Sequence, residues 1–202
     1  DNMNRDAEHP EAAGPGHWND PDYLDPELGM NPVEDRTQFT MWTMLAAPLI
    51  IGSDVRKLSN ATIAMLTNPE VIAIDQDPLG QQGTRLLNSY GLEVWARHLV
   101  TPGTRAVALL NLTSFTKPIA VSWKDLGLTG PAAVRDLWAR ADVGTYDSGY
   151  TISVPSHGAA LLLVSGTEAN QAPPAAGPEP TTGQHPTPAQ QPPVADDPLR
   201  AS

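Results

Sequence analysis

Two rhythms of apolar residues divide the chain. In the first eighty residues Phe39, Trp42 and Leu45 recur at helical spacing until Pro48 stops the run. Asn31 stands before Pro32 and three residues ahead of Glu34, which is a capping-box arrangement with proline at the first helical position. Asp35 adds a second negative charge near the positive end of that helix. Leu49 to Ile51 then reads as a brief strand ended by Gly52, and Ser59 as the cap of a second helix carrying Ile63 and Leu66, closed by Asn68-Pro69. Val71 to Ile74 fits helix and strand equally well. Strand, helix, strand, helix is the grammar of α/β units, which need a parallel sheet to complete them.

From Gly83 to Val164 the period changes to two. Leu92, Val94 and Ala96 alternate with Glu93, Trp95 and Arg97; Ile119, Val121 and Trp123 repeat the pattern, as do Tyr150, Ile152 and Val154. Ala106 to Leu110 and Ala159 to Val164 are unbroken apolar runs of buried-strand length, and turn signals fall at Pro102-Gly103, Gly130-Pro131, Asp147-Ser148-Gly149 and His157-Gly158. About seven strands at this spacing predict an antiparallel sandwich or barrel. After Ser165 the periodicity disappears into Pro, Ala, Gln, Thr and Gly, so residues 166–202 are expected to form a disordered, Pro-rich linker or tail, a tether that leads to a further C-terminal module.

Composition narrows the partners. The 202 residues carry Asp+Glu 23 against Lys+Arg 12, a formal charge of −11, which repels phosphate backbones and anionic membranes. Nucleic acid is excluded as a partner on that ground. The longest apolar run, around Leu45 to Ile51, is too short to span a bilayer and contains Pro48, so no membrane partner is expected. There is no cysteine, which removes disulfides and thiolate chemistry but does not identify the compartment, because many exported bacterial proteins also lack cysteine. The sequence opens at Asp1 without Met, a basic segment or an apolar segment, and the expectation is that a processed segment or an upstream part of the gene precedes it.

The most unusual string is Trp18-Asn19-Asp20-Pro21-Asp22-Tyr23-Leu24. Proline biases the residue before it towards extended geometry, which would put Asp20 and Asp22 at i and i+2 with their carboxylates on one face. Two acids beside Trp18 and Tyr23 suit a sugar pocket, because carboxylates accept from hydroxyls and aromatic rings stack on pyranose faces. A turn in which the aspartates bond their own backbone is the alternative, common in Asp-Pro sequences. The pair is not a glycosidase dyad. Such carboxyls flank the scissile bond at about 5–5.5 Å or 6.5–9.5 Å from opposite sides, whereas neighbours on one strand approach from the same side.

Metal binding by Asp20, Asp22, Asp25 and Glu27 is set aside because Pro21 and Pro26 break the calcium-loop pattern and no glycine occupies its turn position. His9, His17, His98, His157 and His185 are scattered, no serine lies in a nucleophile elbow, and Gly14-Pro15-Gly16 lacks the spacing and lysine of a phosphate loop. Asn60-Ala61-Thr62 and Asn111-Leu112-Thr113 match the glycosylation pattern, as short strings often do by chance.

Three strings in order carry a specific resemblance: Ala13-Gly14-Pro15-Gly16-His17-Trp18-Asn19-Asp20-Pro21-Asp22, Ala46-Ala47-Pro48-Leu49-Ile50-Ile51-Gly52-Ser53-Asp54-Val55-Arg56, and Val71 through Gly83 with its Asp75-Gln76-Asp77-Pro78-Leu79-Gly80 centre. Together with Glu93-Val94-Trp95-Ala96 and Val107 to Asn111, the chain resembles the α-galactosidases of glycoside hydrolase family 27, the melibiase group, over about residues 1–165. The resemblance implies the last units of a (β/α)8 barrel in residues 1–80, an antiparallel β-sandwich in residues 81–165, and the tail beyond. Trp18 to Tyr23 would be strand seven, Asn31 to Ala47 helix seven, Leu49 to Gly52 strand eight and Asn60 to Thr67 helix eight.

The implied reaction is hydrolysis of terminal α-D-galactosyl residues with retention through a covalent glycosyl-enzyme, without metal or organic cofactor. Asp22 would border the galactose pocket. Tyr23, where relatives commonly carry Met, would line its wall, with Asp20 and Trp18 nearby. The family's nucleophile lies in Lys-x-Asp and its acid/base in Arg-x-x-x-Asp; neither motif occurs here, and both are expected upstream, so the isolated chain is expected to be inactive. The family also includes α-N-acetylgalactosaminidases and β-L-arabinopyranosidases. A different class of function would be a noncatalytic carbohydrate-binding or supporting module that uses Trp95, Trp123 or Trp138 as a platform.

Overall fold

The computed structural model describes residues 2–169. A short helix α1 (Asn2–Ala7) and a 3-10 turn lead into helix α2 (Pro32–Leu45). The Asn31 side chain accepts from the Val33 and Glu34 N–H groups at 2.9 and 3.2 Å, and Glu34 Oε2 accepts from the Asn31 N–H at 2.9 Å, so the predicted capping box is present on both sides. The helix stops at Leu45, two residues before the expected end, where Ala46 turns left-handed.

Ser59 caps helix α3 (Asn60–Leu66) as expected. Asn68-Pro69 does more than close it. The Asn68 side chain accepts from the Glu70 N–H at 3.0 Å and Pro69 occupies the first turn of helix α4 (Pro69–Asp75), which settles Val71 to Ile74 as helix.

The expected strands seven and eight are reduced to one parallel bridge, Leu24 with Ile51, with Leu24 N–H donating to the Ile50 carbonyl and Gly52 N–H to the Leu24 carbonyl, each at 2.8 Å. Trp18 to Tyr23 is not a strand. Pro21 has no N–H to offer a ladder, and Asp22 has φ +85°, outside the extended region.

Eight antiparallel strands follow: β1 (Thr84–Ser89), β2 (Leu92–His98), β3 (Thr104–Asn111), β4 (Lys117–Ser122), β5 (Leu128–Asp136), β6 (Ala141–Tyr146), β7 (Gly149–Val154) and β8 (Ala159–Glu168). Six form one sheet in the order β1-β2-β3-β8-β5-β6, and β4 pairs with β7 in the other. Gly130-Pro131 lies inside β5, where it marks a bulge: the pairing with β8 jumps from Thr129–Thr167 to Ala133–Ser165, with Gly130 at φ +68°. Strand β8 also runs three residues past the expected end of the sandwich at 165, where Leu128 and Thr129 pair with Glu168 and Thr167. The rest of the expected tail lies outside the described residues.

The larger sheet is covered on both faces. Val94, Ala96, Val107, Leu109, Leu162 and Val164 pack with Ile119, Val121 and Trp123 between the two sheets. Trp95, Ala106, Ala108, Leu110 and Leu161 pack on the other side with Phe39, Met41, Trp42, Leu45, Val71 and Ile74 of the helices. Alternate residues of β2 and β3 therefore enter two different cores. This is why Glu93 and Arg97, which read as the solvent side of an alternating strand, are 2% and 1% exposed.

Candidate functional site

The loop from Trp18 to Asp25 crosses helix α2, and its shape is set by side chains bonding main chain. Asp20 Oδ1 accepts from the Asp22 N–H at 3.0 Å, and Asp22 Oδ1 accepts from the Tyr23 N–H at 2.8 Å. The aspartates therefore make consecutive side-chain-to-backbone turns, and the same-face arrangement of an extended segment is not formed. From the helix, Trp42 Nε1 donates to the Asp22 carbonyl at 2.7 Å. Gln38 Nε2 donates to the Tyr23 carbonyl at 3.2 Å while its Oε1 accepts from the Asp25 N–H at 3.1 Å.

Below this loop is a cavity of about 800 Å³. Asp22, Asp25, Glu34, Gln38 and His157 supply one kind of lining; Tyr23, Met3, Met30, Met41, Trp42 and Leu110 supply the other. A lining that mixes carboxylates and an amide with apolar and aromatic side chains suits a ligand that carries both hydroxyls and C–H faces. His157 comes from the turn between β7 and β8, and its carbonyl accepts from Thr37 Oγ1 at 2.9 Å, so the sandwich also contributes to the rim.

Of the four residues expected in one pocket, the structure brings together Asp22 and Tyr23. Trp18 lines a second cavity of about 410 Å³ with Pro15, Pro48, Asp75 and Gly80. Gly80 has φ +61°, and a Cβ there would stand 2.9 Å from the Pro15 ring and 3.0 Å from the Trp18 ring. Only glycine lets the Trp18 ring sit this close. Asp20 acts on the loop through the Asp22 N–H, and its charge joins burial in raising the Asp6 carboxyl.

Two further anchors lie outside the expected site residues. Gln82 is 2% exposed; its Oε1 accepts from Asn19 Nδ2 at 2.9 Å and its Nε2 donates to the Asp6 carbonyl at 2.8 Å. It ties the start of the loop to the segment that enters the sheet. Asn111, the second glycosylation match, is fully buried, and its Nδ2 donates to the Phe115, Val154 and Pro155 carbonyls. In the folded chain that nitrogen is committed to structure.

Asp75 ends α4 beside Arg97, and desolvation pushes its carboxyl up to about 6 against the opposing pull of the Gln76 side chain and the Arg97 charge. A carboxyl raised on folding binds its proton more tightly in the native state. The chain therefore carries the cost of the buried charge at pH 7 and sheds it as pH falls from about 6 towards 4. Replacing Asp75 with Asn removes this titration. Urea unfolding at pH 7 and pH 4 should show the unsubstituted chain gaining about 2–3 kcal/mol relative to Asp75→Asn at the lower pH; a difference that does not change with pH would contradict the assignment.

The tryptophans proposed as a sugar platform are elsewhere engaged. Trp95 and Trp123 are 0% and 1% exposed. Trp138 lies against Phe39 with ring centroids 5.9 Å apart, beneath the Arg36 guanidinium, and its Nε1 donates to Thr40 Oγ1 at 3.0 Å. Trp95 and Trp123 are core residues and Trp138 packs on Phe39, so the platform reading is not favoured. Among the described residues no three His, Asp or Glu side chains converge to hold a metal ion, and no helix is long and apolar enough to cross a membrane.

Comparison with known proteins places these features. The family described as alpha galactosidase A matches residues 2–77, and the alpha galactosidase C-terminal beta sandwich domain matches residues 89–164. An α-galactosidase of Oryza sativa subsp. japonica is 47% identical over 132 residues, covering 64% of this chain and 31% of that protein. The crystal structure of α-galactosidase I from Mortierella vinacea is similar with a TM-score of 0.78 and 30% identity, over 84% of this chain and 45% of that one. The structure of an α-galactosidase from Saccharomyces cerevisiae with raffinose is similar with a TM-score of 0.73 and 25% identity, over 80% of this chain and 50% of that one. The chain spans between 31% and 38% of the length of the first curated relatives it matches.

Proposed function

We propose, from the premise that this chain belongs to glycoside hydrolase family 27, the melibiase group, that it serves the hydrolysis of terminal α-D-galactosyl residues with retention, as one wall of the sugar cavity and the sandwich that braces it. The observation that carries the proposal is that Asp22 and Tyr23 line one cavity together with further carboxylate, amide and apolar side chains. The Asp22 carboxylate accepts from sugar hydroxyls, and the Tyr23 ring, 54% exposed, flanks the pyranose. Asp20 works through the main chain of Asp22, and Trp18 supports the loop from its other side.

Retention needs two carboxyls about 5–5.5 Å apart on opposite sides of the scissile bond. The motifs that carry them in the family are not among these 202 residues, so the wall by itself has no means of breaking the linkage. The galactoside reading is favoured over an arabinopyranoside or N-acetylgalactosaminide because the first curated relatives are all named α-galactosidases. A noncatalytic sugar-binding sandwich is disfavoured because Trp95 and Trp123 present no ring to solvent.

The test joins this chain to the preceding barrel units of the rice enzyme. The joined protein should turn over p-nitrophenyl α-galactoside, and Asp22→Asn should raise KM by about 10- to 100-fold, the loss of hydrogen bonds to a charged acceptor. The 202-residue chain alone should show no turnover above background. Activity of the chain alone, or an unaltered KM in Asp22→Asn, would overturn the proposal.

A further inference from the structure

We infer that Trp42 and Gln38 are positioning residues that hold the Asp22-Tyr23 wall in its working shape, an inference that rests on reading those two residues as sugar contacts. Asp22 is not glycine, yet it sits at φ +85°, a conformation that costs about 1–3 kcal/mol and persists only where its surroundings over-determine it. The surroundings here are few and specific. The Asp22 N–H is taken by Asp20, and its carbonyl by the Trp42 indole at 2.7 Å. One residue further on, the Tyr23 carbonyl is taken by the Gln38 amide nitrogen, and the same amide's oxygen receives the Asp25 N–H.

Gln38 therefore donates and accepts at once, which a carboxylate or an ammonium cannot do. Trp42 and Gln38 lie four residues apart on α2, on one face of a helix whose N-terminus is fixed by a complete capping box. Trp42 is 9% exposed, so its ring has little freedom to leave the Asp22 carbonyl. The rigidity of a packed helix is thereby transferred to a loop that pairs with no strand until Leu24. If the clamp is released, the relaxed state of Asp22 is extended, and a change of that one residue from left-handed to extended redirects its side chain and the ring after it.

The experiment uses the 202-residue chain labelled with carbon-13 and nitrogen-15. Trp42→Phe keeps an aromatic ring and removes the donor; Gln38→Glu keeps the acceptor for Asp25 and removes the donor to Tyr23. Both should shift the Asp22 carbonyl and Tyr23 amide signals while leaving the Trp123 indole signal in place, and Trp42→Phe should weaken binding of methyl α-galactoside by up to about tenfold. A Gln38→Glu effect smaller than that of Trp42→Phe is expected, since one of its two bonds survives. Unchanged Asp22 and Tyr23 signals in Trp42→Phe would overturn the inference, and so would shifted signals with unchanged galactoside affinity. A parent chain that binds no galactoside would sink the sugar-wall reading instead, and the main-chain signals would still decide whether the clamp exists. Loss of the Trp123 indole signal in Trp42→Phe would mark global unfolding, in which case the Asp22 and Tyr23 signals of Gln38→Glu decide: shifted, they support the clamp, and unchanged, they overturn it.

Discussion

Arg97→Met is expected to lower the unfolding free energy by about 3–5 kcal/mol, the cost of leaving two buried main-chain carbonyls without their charged donor. Arg97 is 1% exposed and joins three elements: its guanidinium donates to the Thr43 carbonyl at 2.6 Å in the last turn of α2 and to the Asp75 carbonyl at 3.1 Å at the end of α4, from its own place on β2. It is a shared cation for the negative ends of two helices. Methionine keeps the stem and loses both bonds, leaving two buried carbonyls without a donor and Asp75 without its neighbouring charge. Urea unfolding followed by tryptophan fluorescence reads the loss. If the charge relation is right, Asp75→Asn in the same chain recovers part of it; additive losses would show that Arg97 acts through the helix carbonyls alone.

Asn111→Asp should cost about 4–6 kcal/mol, a large part of a typical domain's stability. The Asn111 amide nitrogen serves three carbonyls that close β3, the following turn and the end of β7, while its oxygen accepts from the Thr113 N–H at 2.9 Å and hydroxyl at 2.7 Å. Aspartate offers no donor and places a negative charge against three carbonyl oxygens. Asn111→Ala, which loses the bonds without adding charge, should fall between the unsubstituted chain and Asn111→Asp when all three are unfolded in urea. Equal effects of both substitutions would show that the charge is solvated and that this junction opens to water.

The first of these residues shows how much the sequence could not say. The alternation of β2 is plain in the letters, and the strand forms where the alternation puts it. A period of two, however, states only that neighbours face opposite sides; it does not state that both sides are covered. Arg97 and Glu93 look solvent-facing until helices α2 and α4 are laid on that side of the sheet. The capping box of α2 was legible because it is local chemistry within four residues. Asn68-Pro69 was legible as a boundary, but that it also begins a helix depended on the packing of Val71 and Ile74 beneath α2.

The site divides the same way. Asp20, Asp22, Tyr23 and Trp18 stand out as a string, and two of its residues, Asp22 and Tyr23, line the larger cavity. The separation of Asp22 and Tyr23 from Trp18 into two cavities accompanies the left-handed turn at Asp22 and the room that Gly80, about sixty residues away, leaves for the Trp18 ring. Trp42 and Gln38 look like ordinary helix residues, one apolar and one polar, because a hydrogen bond to a distant carbonyl leaves no periodic trace.

By itself, then, the sequence determined several local decisions: the caps of α2 and α3, the alternation of β2, β4 and β7, and that a loop rich in acid and aromatic residues stands before α2. It left Val71 to Ile74 open and misplaced a strand at Trp18 to Tyr23 and a turn at Gly130-Pro131. Only the tertiary structure decided which faces are buried, which carbonyls Arg97, Trp42 and Asn111 satisfy, and that Asp22 and Tyr23 line one cavity while Trp18 lines another. The physical reason is range. Backbone preference and capping act over a few residues, whereas burial and the pairing of buried polar groups depend on what the completed packing brings from elsewhere in the chain.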